Sequence, residues 1–269
     1  MKKFSQRLFT GATLLGATWF LVLHKNPVYF YAEIALIGAF ALYEFLVLLK
    51  KAGVPVFRAF GVAMGVILPT VIFLEQGQIR SGDVLFLILG CLFLFLIQFT
   101  RKDNQEALIG IALTLFGILY VSWFFSFLIK IRLLPHGGMW AWYLVLVTKC
   151  ADMGAYLIGS PFGKHPLIKH ISPKKTVEGF LGGLAASAAA SVALKPWLPL
   201  DFTLAHLLVL GLLIGFIGQM GDLSESLMKR FCKAKDSGGF LPGMGGFLDA
   251  VDSILFTAPI FYYHLLIYI

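Results

Sequence analysis

The sequence has little charge for its length. Asp, Glu, Lys and Arg together make up 13% of its 269 residues, whereas soluble domains carry about 25%. Hydrophobic residues account for 59%, so a soluble fold would have too few polar side chains to solvate its surface. This shortage of charge argues against a soluble domain and predicts an integral membrane protein.

The sequence is also poor in cysteine. Cys91, Cys150 and Cys232 are far apart in the chain and form no Cys-x-x-Cys pair. This spacing provides neither a disulfide framework nor a cysteine-based zinc site. We therefore interpret the three cysteines as small apolar residues.

Acidic residues are scarcer than basic ones, and the formal net charge is +8. In a soluble protein this balance would suggest a nucleic-acid partner. In a membrane protein, basic loops that face the cytoplasm and anionic lipid are the simpler interpretation, and we expect no nucleic acid. A basic pocket for a polyanionic substrate is a second interpretation, compatible with the first.

Long apolar runs recur along the whole chain. About 20 apolar residues cross the hydrocarbon core as a helix, so the runs predict an all-α, polytopic integral membrane protein with about nine transmembrane helices. About five spans lie in residues 1–135, and the rest lie in residues 136–269, with polar loops at 160–178 and 229–246. The predicted spans are 8–23, 28–49, 55–74, 84–99, 106–129, 139–158, 179–194, 203–220 and 247–268.

Lysine and arginine are distributed unevenly between the two sides of this arrangement. With the N-terminus in the cytoplasm, 16 of them fall in the inside segments and 5 in the outside segments. Since inside loops carry the excess of basic residues, this split predicts a cytoplasmic N-terminus and places both polar loops in the cytoplasm. The outside residues are Lys25, Arg80, Lys130, Arg132 and Lys195.

Carboxylates are concentrated in the stretch GDLSESLMKRFCKAKDSGGFLPGMGGFLDAVDS, residues 221–253. Asp222 and Glu225 are one helical turn apart, a spacing that suits a hard cation such as Mg²⁺. Asp249 and Asp252 are similarly spaced at the start of the last span. A carboxylate so close to hydrocarbon would be protonated or drawn outward without a partner. We therefore expect Asp222 and Asp249 to lie on adjacent helices and to share metal ions.

Basic residues and glycines accompany these carboxylates. A basic run follows Glu225, and its simpler interpretation is a flank that extends to the membrane interface. Its position beside the carboxylates favours a polyphosphate site instead. Gly245 and Gly246 would allow backbone N–H groups to approach a phosphate closely. Upstream, Lys174 and Thr176 in SPKKT precede a predicted helix start, where the helix dipole favours anions. The basic run comprises Lys229, Arg230, Lys233 and Lys235.

Other ionisable residues within predicted spans have two interpretations each. Lys149 and Asp152 form either a buried ion pair or a substrate or metal contact. Glu33 and Glu44 lie on one face of the second span, where they either hydrogen bond between helices or belong to the site. The sequence leaves both pairs open.

At these motifs the chain resembles the phosphatidate cytidylyltransferases. That family's signature is S-x-x-K-R-x(4)-K-D followed by H-G-G-x-x-D-R-x-D, and GDLSES, ADMGAY and SPKKTVEGFLGG resemble further family motifs. The resemblance covers about residues 148–259, and the first half of the chain is similar only in its membrane helices. Met244 and Ala250 stand where the family has His and Arg. The matching positions are Ser226, Lys229, Arg230, Lys235, Asp236, Gly245, Gly246, Asp249 and Asp252.

The resemblance implies that CTP and phosphatidic acid give CDP-diacylglycerol and pyrophosphate with Mg²⁺, as one ion or two. The site would lie at the cytoplasmic face of the membrane, in contact with membrane lipid, and a homodimer is left open. From the size of the chain we expect this to be a bacterial plasma membrane. Asp222 and Asp249 would bind metal, supported by Glu225 and Asp252. The resemblance further implies phosphate or orienting contacts by Ser226, Lys229, Arg230, Lys235 and Asp236, and substrate contacts by Asp152, Lys174, Thr176, Gly245 and Gly246.

Two other functions compete with this one. Another lipid–nucleotide enzyme, such as a polyprenol kinase or a cytidylyltransferase for a different lipid phosphate, could use the same cluster. A cation-coupled transporter is the alternative from another class, but the spans show no obvious inverted halves and the acids cluster at one interface.

Overall fold

A computed structural model describes residues 2–75, 82–102 and 104–269, without the side chains of residues 2–5, 7 and 8. Arg80, which we assigned to an outside segment, lies outside the described residues. Most of the described chain is helical. Its helices are α1 (Lys2–Leu23), α2 (Val28–Lys51), α3 (Arg58–Leu74), α4 (Gly82–Phe99), α5 (Ala107–Gly117), α6 (Phe124–Leu133), α7 (Gly137–Phe162), α8 (Val177–Ala193), α9 (Leu204–Phe231) and α10 (Phe247–Tyr268).

Six helical stretches in the described residues are long and apolar enough to cross a membrane: α2, α4, the rod from α5 to α6, α7, α9 and α10. A π-helical segment, Ile118–Trp123, makes α5 and α6 continuous. Shorter apolar helices cover Phe9–Leu23, α3 and α8. The predicted all-α polytopic class is confirmed, whereas the count of nine spans and the cytoplasmic N-terminus stay predictions.

The predicted loop 160–178 contains a small antiparallel hairpin that the apolar pattern did not reveal. Its strands are β1 (Pro166–Ile168) and β2 (Ser172–Thr176). Thr176 then caps α8, because its Oγ1 accepts a hydrogen bond from the N–H of Gly179 over 3.2 Å. The predicted loop 229–246 begins later than expected, since α9 continues to Phe231.

Glycine and other small residues allow α7, α8, α9 and α10 to pack closely, as is common between membrane helices. A Cβ added at Gly154 of α7 would collide with Ala186 of α8, and one at Gly215 of α9 would collide with Ser187. A Cβ at Gly221 would lie 2.5 Å from the Asp252 carbonyl oxygen of α10. This last contact brings the acidic parts of α9 and α10 side by side.

The two predicted halves of the chain pack against each other. The boundary at residue 135 falls between α6 and α7. Helix α10, from the second half, contacts both α2 and α6 of the first half. The largest fully buried side chains also come from both halves, and they include Phe30, Tyr120, Trp140 and Phe261.

Candidate active site

Three carboxylates converge where α9 meets α10. Asp222, Glu225 and Asp252 each offer one oxygen, and these oxygens all lie within 4.8 Å of one another. Glu225 is fully buried, Asp252 is 7% exposed, and Asp222 is more accessible. We call these three residues the acidic cluster.

The acidic cluster has the donor chemistry of a magnesium site. Like charges at this separation repel one another in a buried environment, so a cation would stabilise the arrangement. Glu225 Oε1 is buried and has no hydrogen-bond partner among the described residues. Carboxylate oxygens are the ligands that Mg²⁺ prefers. The residues present therefore fit a divalent cation.

Lys229 joins the acidic cluster to Asp249. Its ammonium group contacts Glu225 Oε2 one turn earlier on α9 and donates to Asp249 Oδ1 over 2.6 Å. The Lys229 side chain is only 12% exposed. It is thus a largely buried cation held between carboxylates of two helices.

Asp249 is held by the loop that precedes α10. Its Oδ2 accepts hydrogen bonds from Ser237 N at 2.8 Å, Ser237 Oγ at 2.7 Å and Gly246 N at 2.7 Å. Asp249 is therefore held near the start of α10, where its side chain accepts from the Gly246 N–H and pairs with Lys229. Its predicted role as a metal ligand stays a prediction.

The glycine loop owes its shape to Gly245, whose φ is +101°, a region that favours glycine. The Gly246 N–H donates to Asp249 Oδ2, and the predicted phosphate contacts of Gly245 and Gly246 stay predictions. Helix α1 packs against this loop, because Thr10 Oγ1 donates to the Pro242 carbonyl over 2.9 Å. A Cβ at Gly11 would lie 3.9 Å from the Met244 sulfur.

Lys149 and Asp152 form an ion pair that ties α7 to α10. Lys149 Nζ donates to Asp152 Oδ2, to the Ala250 carbonyl and to Ser253 Oγ, each over 3.0 Å. Ser253 Oγ donates in turn to Asp152 Oδ2. Because Ser253 adjoins Asp252, this pair lies next to the acidic cluster.

The hairpin places Lys175 beside the acidic cluster. Lys175 was not among the site residues that we predicted from the sequence. Lys175 Nζ lies 2.7 Å from Asp222 Oδ2. Lys174, which we selected, is exposed, since successive residues of a strand point to opposite faces. The alternation of side chains along the SPKKT stretch was the signal that could have separated Lys175 from Lys174.

Hydrogen bonds hold the hairpin in place at both ends. Lys164 N and His165 N donate to Glu178 Oε2, and His165 Nδ1 lies 2.5 Å from Oε1. These contacts, the His165 side chain first, lower the pKa of Glu178 to about 2. At the turn, Arg230 Nε donates to the Ile171 carbonyl over 3.0 Å. The hairpin that carries Lys175 is therefore fixed to both α8 and α9.

The remaining predicted residues are not gathered into the cluster. Arg230 binds the hairpin backbone, as described above. Lys235 and Asp236 are exposed in the loop after α9, and Ser226 is buried on α9 next to Glu225. For these residues the predicted roles stay predictions.

Glu44 reaches the glycine loop from the first half of the chain. It is 2% exposed, and its Oε2 accepts hydrogen bonds from Leu248 N at 2.9 Å and Ser237 Oγ at 3.2 Å. A Cβ at Gly238 or Gly246 would collide with its carboxylate. The structure thus shows hydrogen bonds that link Glu44 to another helix and its preceding loop, the first of the two interpretations that the sequence left open. Ser237 also binds Asp249, so Glu44 is linked to Asp249 through this residue.

The chain is similar to known cytidylyltransferases over its whole length. The cytidylyltransferase family model matches residues 5–268. The phosphatidate cytidylyltransferase of Bacillus subtilis is 34% identical over 100% of both chains. The enzyme of that name from Synechocystis sp. is 32% identical over 96% of this chain and 95% of its own. That of Staphylococcus saprophyticus is 38% identical over 62% of this chain and 64% of its own.

Proposed function

The chain belongs to the cytidylyltransferase family, and from this premise we propose that it converts CTP and phosphatidate into CDP-diacylglycerol and pyrophosphate. The observation that carries the proposal is the acidic cluster of Asp222, Glu225 and Asp252. Two lysines border it, Lys175 and Lys229. Carboxylates that hold a cation, with lysines beside them, are what a reaction between two polyanions requires.

The reaction needs charge neutralisation more than acid–base chemistry. An oxygen of the phosphatidate phosphate attacks the α-phosphorus of CTP, and a new phosphorus–oxygen bond forms. The bond from the α-phosphorus to the oxygen that bridges it to the β-phosphorus breaks, and pyrophosphate leaves with that electron pair. Because the attacking oxygen is already anionic, positioning and electrostatic stabilisation dominate.

In this proposal the carboxylates bind the cation and the basic residues bind phosphate oxygens. Asp222, Glu225 and Asp252 would hold Mg²⁺, which when bound neutralises phosphate oxygens and aligns attacking and leaving groups. Lys229 and Lys175 would release their carboxylate partners in part and bind phosphate oxygens. We keep Asp249 as an additional metal ligand in this proposal, with Lys235 and Arg230 as phosphate contacts nearer the cytosol.

We further propose that the site faces the cytoplasm of a bacterial plasma membrane. The relatives named above come from bacteria. CTP is a cytosolic nucleotide, and the lipid tails of phosphatidate remain in the bilayer. The positive-inside rule supports the same side, because the loops flanking the acidic cluster are rich in lysine.

The proposal is tested with the full chain purified in detergent. We expect Mg²⁺-dependent release of pyrophosphate from CTP that requires phosphatidate, together with formation of CDP-diacylglycerol. Parallel reactions with ATP and with an isoprenoid phosphate test the kinase and alternative-lipid functions. Turnover with those substrates alone, or anion flux into liposomes without CTP turnover, would refute the proposal.

Lys175 and Lys174 provide a matched pair of variants. Lys175→Ala removes the ammonium group that lies against Asp222, so we expect kcat/KM to fall about tenfold or more. Lys174→Ala removes an equal charge from the exposed face of the same strand and should leave kcat/KM nearly unchanged. Steady-state pyrophosphate release measures both, and equal losses in the two variants would contradict this assignment.

Glu44 and Glu33 form a second matched pair on α2. Glu44→Ala removes the acceptor of Leu248 N and Ser237 Oγ, so the loop that holds Asp249 should shift and kcat should fall on the order of 10²-fold. Glu33, whose Oε1 accepts from Thr18 Oγ1 at 2.7 Å, touches no part of the loop. Glu33→Ala should retain kcat.

The kcat of a double variant distinguishes a positioning role of Glu44 from a general loss of stability. Ser237 links Glu44 to Asp249, so Ser237→Ala and Glu44→Ala should disrupt the same arrangement. We expect the double variant to lose hardly more kcat than Glu44→Ala alone. Fully multiplicative losses would show that Glu44 acts independently of the loop.

A further inference from the structure

Tyr120 carries a buried hydroxyl group that the proposed mechanism does not yet use. Its side chain lies in the π-helical segment Ile118–Trp123 and is 2% exposed. The hydroxyl oxygen is buried and has no hydrogen-bond partner among the described residues. A buried hydroxyl without a partner is costly, so its retention calls for a specific reason.

The ring of Tyr120 is fixed by aromatic neighbours. It stacks on Phe116 at 5.4 Å with an interplanar angle of 4°. It also packs against Phe256 of α10, with the ring centroids 5.5 Å apart. Phe256 lies one helical turn after Asp252, so these contacts anchor Tyr120 close to the α10 part of the acidic cluster.

The hydroxyl lies within electrostatic range of the whole acidic cluster. The charges that act on Tyr120 are those of Asp252, Glu225 and Asp222, yet none of the three accepts a hydrogen bond from it. Among the described residues, the Tyr120 hydroxyl is therefore a buried donor near a set of cation ligands without a direct hydrogen bond to any of them. A third group that lies between them would pair with both.

Local helix geometry supports a role for this position. In the π segment the N–H of Phe124 reaches the Leu119 carbonyl, five residues back. Such insertions rotate the side chains that follow relative to a regular α-helix, and they recur at functional sites. Here the irregular segment contacts α10 and contains the single tyrosine of the α5–α6 rod.

We propose that Tyr120 is a substrate-binding residue whose hydroxyl donates a hydrogen bond to a phosphate oxygen bound at the acidic cluster. The proposal rests on the proposed function for the identity of that phosphate, which belongs to CTP or to phosphatidate. A phosphate oxygen accepts from Tyr120 and is attracted to the cation that the carboxylates would hold. Tyr120 thereby extends the site into the first half of the chain.

The test compares Tyr120→Phe with Tyr143→Phe. The first variant removes only an unpartnered oxygen, so its melting temperature should equal or exceed that of the unaltered chain. We expect its kcat/KM to fall about tenfold or more, with the larger rise in KM for the substrate whose phosphate it binds. Tyr143→Phe removes a 2.5 Å hydrogen bond to Ser191, and it should lower the melting temperature without changing kcat/KM.

A binding measurement decides the matter independently of turnover. Magnesium pyrophosphate should raise the melting temperature of the unaltered chain and of Tyr143→Phe, and should raise that of Tyr120→Phe much less. This melting measurement does not depend on turnover. If the chain shows no cytidylyltransferase activity but the expected difference in stabilisation is found, the proposed function fails while the phosphate contact of Tyr120 stands. Unchanged kcat/KM for both substrates would overturn the proposal. Equal stabilisation of all three proteins both by magnesium pyrophosphate and by phosphatidate with Mg²⁺ would overturn it as well.

Discussion

Replacing Asp252 by Asn is expected to reduce kcat by about 10³-fold or more. The substitution keeps the size of the side chain, and its carbonyl oxygen can still accept the 2.6 Å hydrogen bond from Ser253 N. What it removes is one of three negative charges that converge with Glu225 and Asp222. If these carboxylates hold the cation that aligns the phosphates, the loss falls on turnover rather than on folding.

The melting temperature of Asp252→Asn should not fall together with its kcat. Without divalent cations, removing one of three buried like charges relieves repulsion, so the variant should melt at the same temperature as the unaltered chain or higher. A bound cation stabilises the folded state by about 2.7 kcal/mol at 100 times its Kd. We expect Mg²⁺ to raise the melting temperature of the unaltered chain but not that of the variant.

Asp201→Asn is the control for these two measurements. Asp201 is 92% exposed in its pair with Lys195, and it precedes the first residue of α9, at the opposite end of that helix from the acidic cluster. It should retain both the activity and the Mg²⁺ response of the unaltered chain. An Asp252→Asn protein that keeps substantial activity and a normal Mg²⁺ response would contradict the assignment of Asp252.

Replacing Lys229 by Met is expected to impair both stability and activity. Lys229 contacts Glu225 and Asp249, and breaking a buried ion pair by removing one partner costs about 3–5 kcal/mol. The same ammonium group would bind phosphate in the reaction, so kcat should fall on the order of 10²-fold or more. Thermal unfolding in detergent and single-turnover rates measure the two effects.

Two further variants separate the effects of Lys229→Met. Lys233→Met alters an exposed residue of the same basic run and should change neither property. Lys229→Arg keeps the charge with a different shape, so it should recover much of the stability but little of the rate, since Arg and Lys are not interchangeable at a fitted site. A Lys229→Met protein as active as the unaltered chain would remove this lysine from the mechanism.

The spacing of residues in the sequence predicted the membrane class and part of the candidate site. The positions of Asp222, Glu225 and Lys229 follow from helical periodicity, because α9 continues without a break past the apolar run. The membrane class followed equally directly from the length of the apolar runs. Each of these predictions concerns residues that are neighbours on one element.

Contacts between distant segments could not be read in the same way. The sequence predicted Asp222 and Asp249 as metal ligands, with Glu225 and Asp252 in support. It could not show the close approach at Gly221, which brings an oxygen of Asp252 within 4.8 Å of those of Asp222 and Glu225. Tyr120 belongs to the first half of the chain, where no motif drew attention to it, and the sequence left the role of Glu44 open. Their relation to the site depends on how α2 and the π segment pack against α10, which periodicity within one helix does not specify.

The most direct test is to locate a divalent cation by anomalous scattering from crystals of the protein grown with Mn²⁺ in place of Mg²⁺. We predict a peak about 2–2.5 Å from carboxylate oxygens of Asp222, Glu225 and Asp252, lost in Asp252→Asn crystals. A cation bound elsewhere in the protein, or no peak between α9 and α10 at saturating Mn²⁺, would contradict the account.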